Sequence, residues 1–151
     1  MKKIIVFLLI VFSYSANMQI LAKHFTYDKQ KNVAIFKGDV NVTKESDNIL
    51  SNILFVYTNK KNKLQKLIAI GNVKFRVTDK NSTYKGQTDK LTYNANKEIY
   101  KFEGHAHIIK VQDNQEIFGN KIIINKKTGN AIVDSDKNDT APIKFILKVK
   151  E

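Results

Sequence analysis

The chain has no cysteine, no tryptophan and a single proline in 151 residues. Absence of cysteine excludes a disulfide framework, a thiolate nucleophile and a Cys-ligated zinc site. Catalytic signatures are missing as well. There is no Gly-x-Ser-x-Gly elbow and no His-Glu-x-x-His pair, and Asp39 and Asp89 stand as single carboxylates instead of a pair placed for acid–base work. The chain therefore reads as a non-enzyme with no cofactor. Acidic residues are the minority, 14 against 26 basic, for a formal charge of +12. Such an excess calls for an anionic partner: nucleic acid, phosphorylated lipid or a membrane surface.

Long hydrophobic runs are scarce too. The N-terminus "MKKIIVFLLIVFSYSANMQILA" places Lys2 and Lys3 before an apolar run from Ile4 to Phe12, followed by small and polar residues. That is the pattern of a secretory signal, and the run is short of the roughly 20 residues a membrane-spanning helix needs. Residues 1–22 are expected to be a signal peptide cleaved after Ser15 or after Ala22, with one domain over 23–151. Loss of Lys2 and Lys3 leaves 24 basic and 14 acidic residues, still +10. Outside the cytoplasm nucleic acid drops out as a partner, and anionic lipid takes its place. The roughly 130 residues that remain suffice for a core without disulfides.

What is present is alternation. Phe36, Gly38, Val40 and Val42 alternate with Lys37, Asp39, Asn41 and Thr43. Leu67, Ala69, Gly71, Val73, Phe75 and Val77 form a second apolar series, broken only by Ile68 and Ile70 on the polar side. Phe102, Gly104, Ala106 and Ile108 form a third. Period two with β-branched and aromatic residues predicts strands, and helical periodicity is almost absent after the signal. Segments rich in Asn, Asp, Lys and Gly separate them at Thr58–Lys63, Thr78–Thr83, Asn94–Glu98, Gln112–Glu116 and Asn125–Asn130, spacing that suits an antiparallel meander. Pro142 precedes the final apolar segment, where it opens an edge strand. The fold class is all-β.

The glycines carry a repeat. Gly38, Gly71 and Gly104 are 33 residues apart, as are Gly86 and Gly119. The unit is a strand with a central glycine, a polar turn, a second strand and an Asn/Lys turn. The first second-strand element, "LSNILFVYT", lacks the glycine, which predicts a softer bend there. A period in this range marks units that bury their apolar faces on their neighbours. Glycine inside a strand marks a bulge or bend, so glycines at corresponding places predict a sheet bent along one line.

These segments, "NVAIFKGDVNVTKESDNILSNILFVYT", "LIAIGNVKF" and "GQTDKLTYNANKEIYKFEGHAHIIKVQDNQEIFGNKIIINKKTGNAIVDSD", resemble the OstA-like domain family of periplasmic lipopolysaccharide transport. The resemblance spans about Lys31 to Asp136. It implies a β-jellyroll of two V-shaped, opposed antiparallel sheets with an apolar groove, and no enzymatic activity. It further implies a head-to-tail homo-oligomer bridging an LptC-like inner-membrane and an LptD-like outer-membrane protein, with lipopolysaccharide moving along it. By periodicity alone the apolar stripe is an ordinary sandwich core. The resemblance turns it into a groove for the acyl chains of lipid A, with Phe36, Val40, Val42, Val73, Phe75, Leu91, Tyr93, Phe102, Ala106, Ile108, Ile122 and Ile124 facing inside. The alternatives are a membrane-anchored LptC-like component of the same pathway, and an exported structural β-domain that binds no lipid.

His105 and His107 share a strand face in an H-x-H pair, but no third ligand is evident, so they read as surface histidines and no metal is expected. The lysines read mainly as a solvated surface, with a minority at the groove rim placed to meet lipid phosphates. Asp89 is expected to cap a turn or pair with a lysine.

Overall fold

The computed structural model describes residues 18–78, 81–135 and 142–147. The expected signal run therefore lies outside the described residues up to position 17, and so do positions 79–80 of the turn after Thr78. Ten strands follow in order: β1 (Met18–Leu21), β2 (His24–Asp28), β3 (Val33–Lys44), β4 (Asp47–Thr58), β5 (Leu64–Thr78), β6 (Thr83–Asn94), β7 (Ile99–Lys110), β8 (Gln115–Asn125), β9 (Ala131–Asp134) and β10 (Lys144–Ile146). Among the described residues the sheet begins at Met18.

All pairs are antiparallel, and β3 to β8 form a meander in chain order. Each edge carries two short strands. β1 pairs Asn41–Lys44 of β3, and β2 pairs Val33–Lys37 of the same strand. At the other edge β9 and β10 both pair β8. The ten strands make one sheet that does not close.

That sheet is folded across its middle. Register shifts fall between Lys37 and Val40, Leu50 and Ile53, Ile70 and Val73, Gln87 and Lys90, and Glu103 and Ala106. At each, an odd-numbered strand carries the extra residue of a β-bulge, which bends the strand and raises its twist. The bulge is made by two consecutive left-handed residues: Gly38–Asp39 (φ 87° and 46°), Gly71–Asn72 (89° and 47°) and Gly104–His105 (83° and 48°). Asp, Asn and His are the side chains that tolerate this region best. Opposite them in the even-numbered strands stand Asn52 and Asp89, in contact with Gly71 and Gly104. β4 has no glycine, yet its register shifts at the same corner, at Asn52. Gly86 and Gly119 serve otherwise. Neither is left-handed, and a Cβ on Gly86 would lie 1.9 Å from the His107 carbonyl oxygen, so its role is close approach of β6 to β7.

Two buried hydroxyls complete the corner. Ser51 donates to the Ile53 carbonyl at 3.0 Å, and Thr88 to the Glu103 carbonyl at 2.9 Å. Both bond carbonyls flanking the bulges, where buried acceptors need partners. Gly71→Val puts a β-branched residue at φ 89° with its Cβ 2.6 Å from Asn52 Nδ2. The expected loss is about 1–3 kcal/mol, read as a lower urea midpoint.

Folding along this line brings the two halves of the sheet face to face, the two opposed sheets of the expected V. Phe75 in one half and Phe102 in the other have ring centroids 4.5 Å apart.

Candidate functional site

The inner faces of the two halves form one apolar interior. Phe36, Val40, Val42, Val73, Phe75, Leu91, Tyr93, Phe102, Ala106, Ile108, Ile122 and Ile124 are all buried, none more than 5% exposed. They form one cluster with Leu54, Val56, Ile49, Leu67, Ala69, Val77, Tyr84 and Tyr100. These side chains pack on one another between the two halves. Cavities of about 340 and 350 Å³ lie elsewhere, and of the twelve only Ala106 touches either of them. Along β8 the cover thins: Ile117 and Val133 pack on the cluster while remaining partly exposed.

The mouth of the V, opposite the fold line, is held by polar contacts. Asp47, at the start of β4, is buried. Its carboxylate accepts from Tyr100 Oη at 2.8 Å and from Lys126 Nζ at 3.0 Å, both in the facing half. Its other oxygen accepts from the Thr78 amide at 2.8 Å. Beside this clasp, Lys44 Nζ lies 5.4 Å from the centre of the Tyr93 ring, again across the mouth. These residues sit four to six positions from the bulges, roughly 13–20 Å at the strand rise of about 3.3 Å per residue. Next to the clasp is a cavity of about 220 Å³ lined by Ser82, Tyr84, Lys110, Lys126 and Lys127. Each of these lysines has an acidic neighbour, Asp113, Asp47 and Glu98 respectively.

The clasp has an electrostatic signature. Burial, then the Asp47 carboxylate, pushes the Tyr100 phenol well above its usual value. Burial, then the charges of Glu98, Asp47 and Glu45, pushes Tyr93 up to about 12. A raised tyrosine favours its neutral form in the folded state. Its stabilising share is therefore complete below the unfolded value of about 10 and is lost as pH rises through the folded value. With no tryptophan in the chain, absorbance near 295 nm should show the tyrosinate share of Tyr93 and Tyr100 forming only beyond pH 10, a share removed in a Tyr93→Phe/Tyr100→Phe variant, with loss of β-sheet circular dichroism over the same interval.

Among the described residues Asp89 pairs with a histidine instead of the expected lysine or turn amide. Its carboxylate lies 2.8 Å from His105 Nδ1, joining neighbouring bends at the fold line. His107 Nε2 lies 2.9 Å from Glu116, and its ring stacks on Phe118 at 4.1 Å. The two histidines thus serve different carboxylates, and no group of three or more His, Cys, Asp or Glu able to hold a metal occurs among the described residues. No described helix is long and apolar enough to cross a membrane.

A family model described as "LptA/(LptD N-terminal domain) LPS transport protein" matches residues 19–130. The chain belongs to that family. It is a family of transport proteins, not of enzymes. The fold of this LptA-family chain matches the crystal structure of LptH, described as the LptA homologous periplasmic component of the conserved lipopolysaccharide transport device from Pseudomonas aeruginosa. The TM-score is 0.77 at 16% identity, over 89% of this chain and 96% of that one. At that identity the likeness speaks for the fold. No curated protein matches the sequence.

Sequence reasoning missed Asp47, Tyr100 and the β4 residues Leu54 and Val56. For β4 the signal was available as alternation, offset by one residue after Asn52. For the clasp no local signal exists, since its partners lie 53 and 79 residues from Asp47 in sequence.

Proposed function

We propose that this LptA-family chain is a periplasmic lipopolysaccharide carrier that shelters lipid A acyl chains between the halves of its folded sheet. The observation that carries this reading is the arrangement of the interior: a continuous apolar surface with a line of bulges on one side and a polar clasp on the other. Acyl chains cannot cross water unaided, because each exposed methylene costs about 0.8 kcal/mol. The inward side chains pack on one another, so acyl chains enter as the halves part at the mouth and displace internal contacts with their own. The phosphosugar stays outside, at the lysine-lined cavity formed by Lys110, Lys126 and Lys127. The family description, a transport protein for lipopolysaccharide, supports the choice of lipid.

The edges support assembly into a bridge. Leu21 is 55% exposed on β1, Ile132 is 57% exposed on β9 and Phe145 is 47% exposed on β10. Unpaired strands flanked by such side chains are templates for another chain. Head-to-tail pairing of copies, ending on LptC-like and LptD-like domains at the inner and outer membranes, uses both edges. β1 also favours export with cleavage after Ser15, since cleavage after Ala22 would remove a strand paired to β3 and the buried Met18.

The test is a photocrosslinking amino acid placed at Phe75 in cells, with Lys74 on the outer face as control. Lipopolysaccharide should be captured from position 75 and not from 74. Capture from 74 alone, or from neither, would reject the interior as the lipid path.

A further inference from the structure

The outer face of the folded sheet is not uniformly polar. On β3, β4 and β5 the outward positions place Ile35 beside Phe55 and Phe55 beside Ile68, and in the next row Ile53 beside Ile70. Leu50 continues the patch across the fold line, opposite Lys74. Ile70 and Leu50 are each 37% exposed, and Ile35, Ile53, Phe55 and Ile68 remain partly exposed. These residues contribute nothing to the interior, which takes the alternate side chains Phe36, Leu54 and Ala69.

Cations border the patch. Lys37 and Lys90 flank the Ile53–Ile70 row at either end. Lys74 and Arg76 lie across the fold line, and Lys66 covers the Tyr57 ring at 4.7 Å. The nearby carboxylates are engaged: Glu103 lies beyond Lys90 and is 3.6 Å from Lys101, Asp39 is held by Lys23 at 3.0 Å, and Asp89 by His105. A contiguous exposed apolar patch marks an interaction surface. An aliphatic patch with one aromatic ring, bordered by basic side chains, complements an anionic bilayer: the cations meet the headgroups while the apolar side chains enter the interfacial layer.

We infer that this outer face, centred on Phe55 and Ile70 and rimmed by Lys37, Lys66, Lys74 and Lys90, docks the protein on the surface of an anionic membrane. The surface is separate from the interior path, and the inference stands whether or not acyl chains enter there.

The test is co-sedimentation of the full chain lacking its N-terminal signal run with vesicles. One set is phosphatidylcholine alone and the other contains one third phosphatidylglycerol. Binding is expected only to the anionic vesicles, and is expected to fall at least tenfold between 50 and 500 mM salt, because the attraction is screened. Ile70→Glu and the double variant Lys37→Glu/Lys90→Glu should each weaken it tenfold or more. Both changes lie on the exposed outer face, and an unshifted urea midpoint would show that they fold normally. Lipopolysaccharide capture from position 75 should persist in Ile70→Glu, which separates this surface from the interior. Equal binding to both vesicle types, no binding at all, or undiminished binding by the folded variants would overturn the assignment. Capture of a protein by the patch without vesicle binding would assign it to a protein partner instead and would equally overturn it.

Discussion

Phe102→Asp is expected to leave the chain unfolded. Phe102 is fully buried, 4.5 Å from the Phe75 ring and 6.1 Å from the Tyr100 ring. Removing the aromatic ring from such a site costs about 3–5 kcal/mol through lost burial and the space left behind. An unpartnered carboxylate in the same place adds several kcal/mol of desolvation, relieved only in part if the group binds a proton. Domains of this size are stable by about 5–15 kcal/mol in total, so the combined loss takes most or all of the margin. Far-ultraviolet circular dichroism and urea titration would register it directly. Phe102→Ala should fold with a midpoint reduced by the first term alone. If the Asp variant folds with an unaltered midpoint, the ring does not lie between the two halves, and Phe102 is no part of the interior. The pair of variants also shows why loss of lipid capture in Phe102→Asp would be uninformative by itself.

How much of this was legible in the sequence depends on which strand is considered. In the odd-numbered strands the extra residue of the bulge leaves three residues between the inward positions on either side, so the inward parity survives the corner. Phe36 and Val40 face inside on either side of Gly38–Asp39, and Ala69 and Val73 on either side of Gly71–Asn72. Simple alternation therefore finds them. In the even-numbered strands the parity slips by one. Ile49 and Ser51 point inward before Asn52, but Leu54 and Val56 after it. A reading that assumes constant alternation loses half of such a strand. The dipeptides Gly-Asp, Gly-Asn and Gly-His were visible all along, and they are pairs that accept two left-handed conformations in succession. Their meaning as a fold line needed the register of the neighbouring strands. The same holds for Asp89 and His105, which lie 16 residues apart and meet only because the two bends are adjacent.

The clasp was hidden for a different reason. Asp47 follows "TKES" in a segment that reads as a hairpin turn, and carboxylates in turns are commonplace. Its burial arises only when the sheet folds over and brings Tyr100 and Lys126 to it. This makes a sharp expectation. In Asp47→Ala the Tyr100 hydroxyl loses its acceptor inside the protein, while Lys126, which is less buried, can turn to water. Losing a buried acceptor shared by a hydroxyl, an ammonium and an amide should cost about 2–3 kcal/mol. The damage should be local to the mouth. Hydrogen exchange ought to quicken in residues 93–100 and 44–47, with amides beside the bulges little changed. Tyr100 should also ionise at lower pH than in the parent chain, since one of the two main causes of its upward shift is gone, although burial continues to hold it up. Because acyl chains are proposed to enter by parting the halves, the folded Asp47→Ala protein should take up lipopolysaccharide faster, read as crosslinking from position 75 against time. An unchanged urea midpoint with unchanged exchange at the mouth would mean that Asp47 holds nothing together. Faster opening without faster uptake would keep the clasp but place the lipid's entry elsewhere, for instance along the thinly covered edge at β8.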